Sequence, residues 1–123
     1  MAKRKKEEND EQLCKAMVHG MQEKKASHIV KMDMRNTKGA PTDFFIICHA
    51  DNDKQVEAIA DSVEEEVHKQ CGEWPWHREG QENREWVLLD YSNVVAHVFL
   101  KDKREFYGLE ELWGDAEQTV YED

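Results

Sequence analysis

Two aspartates, Asp51 and Asp53, follow an apolar run at residues 43–50 and are separated by one residue. Carboxylates with this spacing can hold a divalent metal ion for phosphoryl or nucleotidyl transfer. That chemistry also needs donors for the phosphates, and the sequence has neither a glycine-rich phosphate loop nor a Gly-Ser pair before the aspartates. The pattern therefore favours a helix cap followed by an acidic first turn. A metal-dependent nucleotidyl or phosphoryl transferase using these two residues remains the alternative function.

Four other side chains with reactive groups are less well placed. His68 and Cys71 have the three-residue spacing of zinc ligands on a helix, and His77 follows, but no fourth ligand has a recognisable spacing. His97, inside the run VVAHVFL, could be a general base because its ordinary pKa lies near neutrality. The sequence places no acid or nucleophile beside it, which favours a half-buried, hydrogen-bonded structural histidine. We therefore predict no catalytic residue, no metal ligand and no cofactor.

Trp86, Asp90 and Tyr91 form a candidate site of another kind, a protein-binding surface. Trp86 begins a predicted strand, and we expect Asp90 and Tyr91 to lie in the exposed turn of a hairpin. Trp and Tyr side chains commonly anchor protein interfaces, and a neighbouring carboxylate can bind a basic group. A structural role, with Trp86 packed on the sheet and Asp90 shaping the turn, is equally favoured by the residues alone.

The elements that position these residues follow from the spacing of apolar side chains. Continuous apolar strands at 43–50 and 94–100 indicate a sheet that is covered on both faces. The sequence thus predicts an α/β fold, a three-layer domain with a mixed, about five-stranded sheet flanked by helices. The predicted elements are helices at 10–24 and from Asn52 or Asp53 to Gly72, strands at 28–34, 43–50, 86–89 and 94–100, a short edge strand near 76–78, and a short helix that ends at Gly114.

The length of 123 residues is that of one domain. We predict a flexible tail at residues 1–9 with a short basic cluster, the folded domain at 10–116, and an acidic tail at 117–123. The formal net charge of -10 makes nucleic acid a poor partner and a basic protein surface a better one. Three cysteines without a CxxC pair indicate free thiols. With no secretory signal and no membrane-spanning run, we expect a cytosolic protein.

Two long stretches of the sequence read TDFFIICHADNDKQVEAIADSVEEEV and EWVLLDYSNVVAHVFLKDKREFYGLEELWGDA. They closely resemble the ribosomal silencing factor family, also called the Iojap family. The second contains the family motifs W-x-L-L-D-Y, V-V-x-H-V-F and R-x-F-Y-x-L-E-x-L-W, and the resemblance extends from about residue 10 to residue 116. It implies a mixed sheet between helices and a function that is not enzymatic.

The resemblance also implies a partner and a mechanism. Family members bind the large ribosomal subunit through ribosomal protein uL14, block joining of the small subunit, and reduce translation when nutrients are scarce. Some members are homodimers, and no small-molecule substrate or membrane is involved. The matching contact motif places partner binding on Trp86, Leu88, Asp90 and Tyr91, and at most one of Leu88 and Leu89 can share that surface because strand residues alternate.

Three further expectations follow from the same motifs. Replacing Trp86 or Tyr91 with alanine should cost ~2 kcal/mol or more of binding while the fold survives. Phe106 and Tyr107 match the family too, and they contact either the partner or the core. Ser92 departs from the glycine that is common after Asp-Tyr in the family, so the turn can differ in shape there.

Overall fold

The computed structural model of the chain describes residues 2–121, and the side chains of residues 8–121. Six strands form one mixed sheet in the order β3-β4-β5-β2-β1-β6. The elements are α1 (Ala2–Glu23), β1 (Ser27–Asp33), β2 (Phe44–Ala50), α2 (Asp53–Cys71), β3 (His77–Glu79), β4 (Trp86–Asp90), β5 (Val94–Leu100), α3 (Lys101–Tyr107), α4 (Leu109–Leu112) and β6 (Glu117–Tyr121).

Strand β2 lies near the centre of the sheet, and all seven of its residues are buried. It pairs in parallel with β5 and antiparallel with β1, while the β4–β5, β3–β4 and β1–β6 pairs are antiparallel. A continuous apolar run suits this position because neighbouring layers cover both of its faces. The predicted mixed sheet and three-layer α/β architecture are confirmed.

Helices α1 and α2 cover one face of the sheet, here named the α1/α2 face. Its core contains Ile46 and Cys48 from β2 and Val98 from β5, packed with apolar residues of both helices. The two helices approach closely at Gly20, where an added Cβ would lie 2.8 Å from the Cα of Val63. At the same contact the Ser62 hydroxyl donates a hydrogen bond of 2.8 Å to the Gly20 carbonyl oxygen. This face is therefore a closely packed interior.

The opposite face of the sheet, here named the aromatic face, is covered by a smaller layer. Its core contains Phe45 of β2 and Phe99 of β5, against which Leu109 of α4 and the following Trp113 pack. Gly108, in the left-handed region with φ 60°, separates α3 from α4. These two helices are short, 7 and 4 residues, so they cover less of the sheet than α1 and α2.

Three elements differ from the sequence prediction. Helix α1 begins at Ala2, whereas the pattern placed its start near residue 10. Residues 117–121, predicted as part of a tail, form β6 beside β1 and add the sixth strand. Helix α3 was not predicted, because Leu100 at its N-cap has no capping side chain to mark the start. Helix α2 agrees with the prediction, with Asn52 capping its first turn and Gly72 ending it at φ 70°.

None of the helices within residues 2–121 combines the length and the apolar character that crossing a membrane requires.

Candidate protein-binding surface

Strand β4 divides its side chains between the two faces of the sheet. Val87 and Leu89 are fully buried on the α1/α2 face, whereas Trp86, Leu88 and Asp90 are half-buried on the aromatic face. The division follows from the two-residue period of a strand. Three of the four predicted contact residues therefore share one face and are partly accessible.

Tyr91, the fourth predicted contact residue, lies on the other face. Its side chain is 3% exposed and belongs to the core under α1 and α2, so the expectation of an exposed Tyr91 is wrong. Burial raises the pKa of its phenol, and the described residues offer its hydroxyl no hydrogen-bond partner. The reason is the strand period, which continues from Leu89 to Tyr91. In this structure the side chain cannot meet a partner that docks from outside.

Aromatic rings extend the surface from β4 onto α3. The Trp86 ring lies 5.1 Å from the Phe99 ring and 4.7 Å from the Tyr107 ring, centroid to centroid. The Tyr107 ring meets Phe106 edge to face at 5.2 Å. Tyr107 is 39% exposed and Phe106 is 75% exposed. Phe106 therefore faces solvent, and Tyr107 contacts the core through Trp86 while keeping an accessible edge.

Asp90 ends β4 at the margin of this surface. Its Oδ1 accepts a hydrogen bond of 2.7 Å from the backbone N–H of Ser92, so the carboxylate shapes the turn as the structural interpretation expected. The backbone of Ser92 has φ 76°, the left-handed conformation that glycine adopts readily.

His77 lies directly across the β3–β4 pair from Asp90, and its Nε2 is 2.8 Å from Glu79 Oε1. Polar groups thus lie at the end of β4 that is opposite to Trp86. Trp86, Leu88, Asp90, Phe106 and Tyr107 are together named the candidate surface.

His97 lies beneath Trp86. The Trp86 Nε1–H donates a hydrogen bond of 2.9 Å to His97 Nδ1, and the Phe45 ring meets the imidazole edge to face at 4.4 Å. Burial lowers the pKa of His97 to about 3, so the imidazole is neutral at physiological pH. The prediction of a hydrogen-bonded structural histidine is confirmed, although at 4% exposure the side chain is more than half-buried.

Arg104 holds α3 against the sheet through hydrogen bonds, a role that was not predicted from the sequence. Its Nη1 donates to the His28 carbonyl oxygen at 2.6 Å and to His49 Nδ1 at 3.0 Å, and its Nε donates to Glu110 Oε1 at 2.7 Å. Burial, with the Arg104 charge as the second cause, lowers the pKa of His49. The arginine of the R-x-F-Y motif could have indicated this role. It lies between the aromatic residues Phe99 and Phe106, and a charged side chain that is buried among such residues needs hydrogen-bond or ion-pair partners. Arg104 thereby places Phe106 and Tyr107 beside Trp86.

The other candidate residues do not converge on a reactive site. Asp51 and Asp53 are exposed, and Asn52 between them caps α2 by accepting the Gln55 N–H at 2.8 Å, which confirms the helix-cap interpretation. His68 stacks on Trp74, while His77 pairs with Glu79. Among residues with described side chains, no group of three or more His, Cys, Asp or Glu residues could hold a metal ion.

The cysteines are free thiols, as the sequence indicated. Cys14 and Cys48 are buried, and desolvation raises the pKa of each to about 12, while Cys71 is half-buried. Thiols with such pKa values are almost entirely protonated near neutrality, so they are poor nucleophiles.

Comparison with known proteins places this arrangement in a family. Residues 7–123 match the family model described as "Ribosomal silencing factor during starvation". The ribosomal silencing factor of Halalkalibacterium halodurans is 41% identical over 108 residues, which cover 88% of this chain and 91% of that protein. The chain belongs to the ribosomal silencing factor family. The family's counterpart in Bacillus subtilis is 39% identical over 108 residues, covering 88% of this chain and 90% of that protein.

Solved structures agree with the family assignment. A crystal structure of a Chromobacterium violaceum protein superposes with a TM-score of 0.78 at 30% identity and covers 85% of both chains. As a member of the ribosomal silencing factor family, the chain has a regulatory role connected with the ribosome, and the resemblance found in its motifs is confirmed. Membership in this family does not support the transferase alternative.

Proposed function

We propose that this ribosomal silencing factor binds the large ribosomal subunit through ribosomal protein uL14 and sterically blocks joining of the small subunit. The partner and the block are those that the family motifs imply. A bound protein of 14.5 kDa on the joining surface would exclude the contacts that the small subunit makes there, without any chemical step. Repression of translation when nutrients are scarce then depends on affinity and on the amount of protein present.

One observation carries the proposal, the contact of Trp86 with Tyr107. It joins the predicted contact residues of β4 to the exposed Phe106 and creates a continuous aromatic area on one side of the molecule. Aromatic anchors surrounded by polar groups are typical of the energetic centre of protein interfaces. The half-buried Asp90 at the other end of β4 can bind a basic group of the partner. Phe106 and Tyr107 are therefore included in the proposed contact, and Tyr91 is not.

Charge supports the same type of partner. The formal net charge of -10 favours encounter with a basic protein surface and disfavours bare phosphate backbone. Association with large subunits should accordingly slow as salt rises, because ions screen long-range attraction. The dimeric state of some family members stays a prediction for this chain.

The test is co-sedimentation of purified protein with purified large subunits. Trp86→Ala should weaken binding by ~2 kcal/mol or more, which is about 30-fold, while the circular dichroism spectrum stays unchanged. Trp74→Ala is the matched control, because Trp74 is 55% exposed but stacks on His68 of α2, away from the candidate surface. Equal binding by the wild-type and Trp86→Ala proteins would contradict the assigned contact.

A second measurement addresses the block itself. Adding the protein to purified large and small subunits should reduce the fraction of joined ribosomes in a dose-dependent way, without consumption of any nucleotide. Phe106→Ala should shift the dose curve to higher concentration, whereas Trp74→Ala should not. Protein that binds large subunits but leaves joining unchanged would contradict the steric mechanism.

A further inference from the structure

A hydrogen bond joins Trp86, a proposed partner-contact residue, to His97, which is buried and which no partner can reach. Trp86 lies across the β4–β5 pair from Phe99, and His97 lies across from Leu88, so the bond runs diagonally along the aromatic face. The indole N–H of a half-buried tryptophan can usually turn toward water. Here it is used inside the protein, at 2.9 Å from His97 Nδ1.

The bond fixes how the Trp86 ring is turned. Stacking on Phe99 and a tilted contact with Tyr107 restrict the plane of the Trp86 ring, but apolar ring contacts have no donor–acceptor direction and allow the ring to be flipped. The directed N–H bond selects the orientation in which the five-membered ring points down to β5. Trp86 is half-buried, so part of the ring stays accessible to a partner. A rigid aromatic anchor binds more tightly than a mobile one, because less side-chain entropy is lost on binding.

Packing alone does not explain an imidazole at this position. Because Nδ1 accepts a hydrogen bond, the proton of the neutral ring lies on Nε2, and that buried atom has no hydrogen-bond partner among the described residues. A buried donor without a partner destabilises the folded state. A leucine at this position would fill apolar space without that cost. What the imidazole adds is an acceptor placed under the indole.

We propose that His97 is a positioning residue for partner binding, which accepts the Trp86 indole N–H and thereby presets the ring for contact with the partner. The proposal rests on the proposed function, because it assumes that Trp86 contacts the ribosome. His97 itself, at 4% exposure, contacts no partner.

The hydrogen bond is tested in the free protein by NMR of the indole N–H groups. The chain has four tryptophans, and the Trp86 signal is assigned by its loss in Trp86→Phe. Leucine and asparagine have nearly the same shape, but only asparagine carries an oxygen where His97 has Nδ1. In His97→Leu, exchange of the Trp86 indole proton with water should rise about 3- to 10-fold, as expected for loss of one hydrogen bond. His97→Asn should restore slow exchange. Unchanged exchange in His97→Leu would overturn the proposal.

The positioning role is tested by a double-mutant cycle on binding to large subunits. His97→Leu should weaken binding about 3- to 10-fold in the wild-type background and have no further effect in Trp86→Phe, which lacks the indole N–H. His97→Asn should bind like wild type. His97→Met repeats the test with a second apolar side chain if His97→Leu does not fold. Equal weakening in both backgrounds, or none in either, overturns the positioning role.

The two proposals fail in different ways. If wild-type protein does not bind large subunits, the proposed function is wrong and the positioning role is wrong with it. If wild-type and His97→Leu proteins bind equally well, only the positioning role is wrong.

Discussion

Alternating residues of strand β4 form its two faces, and the two faces differ in how deeply their side chains are buried. On the α1/α2 face, Val87 and Leu89 are fully buried beneath two long helices. On the aromatic face, Trp86 and Leu88 are half-buried, and the Trp86 ring packs against Tyr107 of the short helix α3 while part of each side chain stays accessible. The difference lies in the covering layer, because both faces belong to the same five residues.

This contrast shows how a small domain can keep a stable core and still present apolar groups. Burial on the α1/α2 face stabilises the fold, so apolar groups on the aromatic face are free to bind a partner. Large accessible aromatic residues on a monomer commonly mark an interaction site. We expect substitutions on the first face to change stability and substitutions on the second to change affinity.

The strongest test of the difference between the two faces of β4 compares the free energies of unfolding of Leu89→Ala and Leu88→Ala. Leu89 is fully buried, so its truncation should lower the free energy of unfolding by about 2–5 kcal/mol. Leu88 is half-buried, and its truncation should cost about 1 kcal/mol of stability. Urea denaturation measures both values.

The same pair should reverse order in binding. Leu88→Ala should weaken association with large subunits by about 1 kcal/mol or more, whereas the folded fraction of Leu89→Ala should bind like wild type. Similar losses of stability for both variants, with no difference in affinity, would show that the two faces do not divide these tasks.

A second test probes the close approach of α1 and α2. Gly20→Ala adds a Cβ 2.8 Å from the Cα of Val63 and 2.9 Å from the Ser62 carbonyl oxygen, both backbone atoms. The helices must separate, so we expect a loss of about 1–3 kcal/mol in thermal or urea unfolding, although alanine favours the helix itself. Ser62→Ala, which removes the bond to Gly20, should cost about 1 kcal/mol. Gain of stability in Gly20→Ala would contradict the close packing.

A third test uses pH, because His49 and His97, both with lowered pKa values, lie on the aromatic face. The unfolded chain protonates His97 near its ordinary pKa of 6.5, whereas the folded chain does so only near pH 3. Acid therefore favours the unfolded state, and stability should fall as pH drops below 6.5. Well below that pH, His97 contributes a slope of up to about 1.4 kcal/mol per pH unit.

The control for the pH test is His97→Asn, in which the fall in stability between pH 7 and pH 5 should be shallower. Measuring above pH 5 separates the histidines from carboxylates such as Asp33, whose lowered pKa acts in more acidic solution. A slope identical to that of wild type would mean that His97 does not stay neutral in the folded protein.

The smallest expected change in stability is at Ser92, in the turn that joins β4 to β5. Ser92 has φ 76°, which costs a side chain about 1–2 kcal/mol, while glycine adds about 0.4–1 kcal/mol of entropy to the unfolded chain. Ser92→Gly should therefore stabilise the protein by about 0.5 kcal/mol in urea denaturation. Binding to large subunits should stay unchanged, since Asp90 still accepts the backbone N–H of residue 92. A loss of stability would show that the serine side chain supports the turn.

Much of the fold could be predicted from the sequence because its signals are local. The period of Val56, Ile59, Ala60 and Val63 indicated α2, and Asn52 and Gly72 marked its ends. The apolar run of β2 indicated a central strand. Strand β6 gave no such signal, since four of its five residues are exposed and its pairing with β1 depends on distant residues.

The candidate site was predicted in part, for reasons that individual residues show. Alternation separated Leu88 from Leu89 correctly, and the same rule applied to Tyr91 would have placed it on the buried face. Phe106 and Tyr107 could not be assigned from the sequence, because their position depends on Arg104 binding His28 and His49, far away in the chain. Contacts of this type are set by tertiary packing and leave no periodic pattern.

The alternation in β4 also bears on how such a protein can evolve. If the proposed contact is made by Trp86, Leu88 and Asp90, changes at these positions would adapt the molecule to a partner whose surface has changed, and the intervening Val87 and Leu89 would not need to change. A deletion of one residue in this strand would instead exchange the two sets and damage recognition and folding together. We therefore expect the fold to tolerate substitutions at the aromatic-face positions of this strand but not a change in its length.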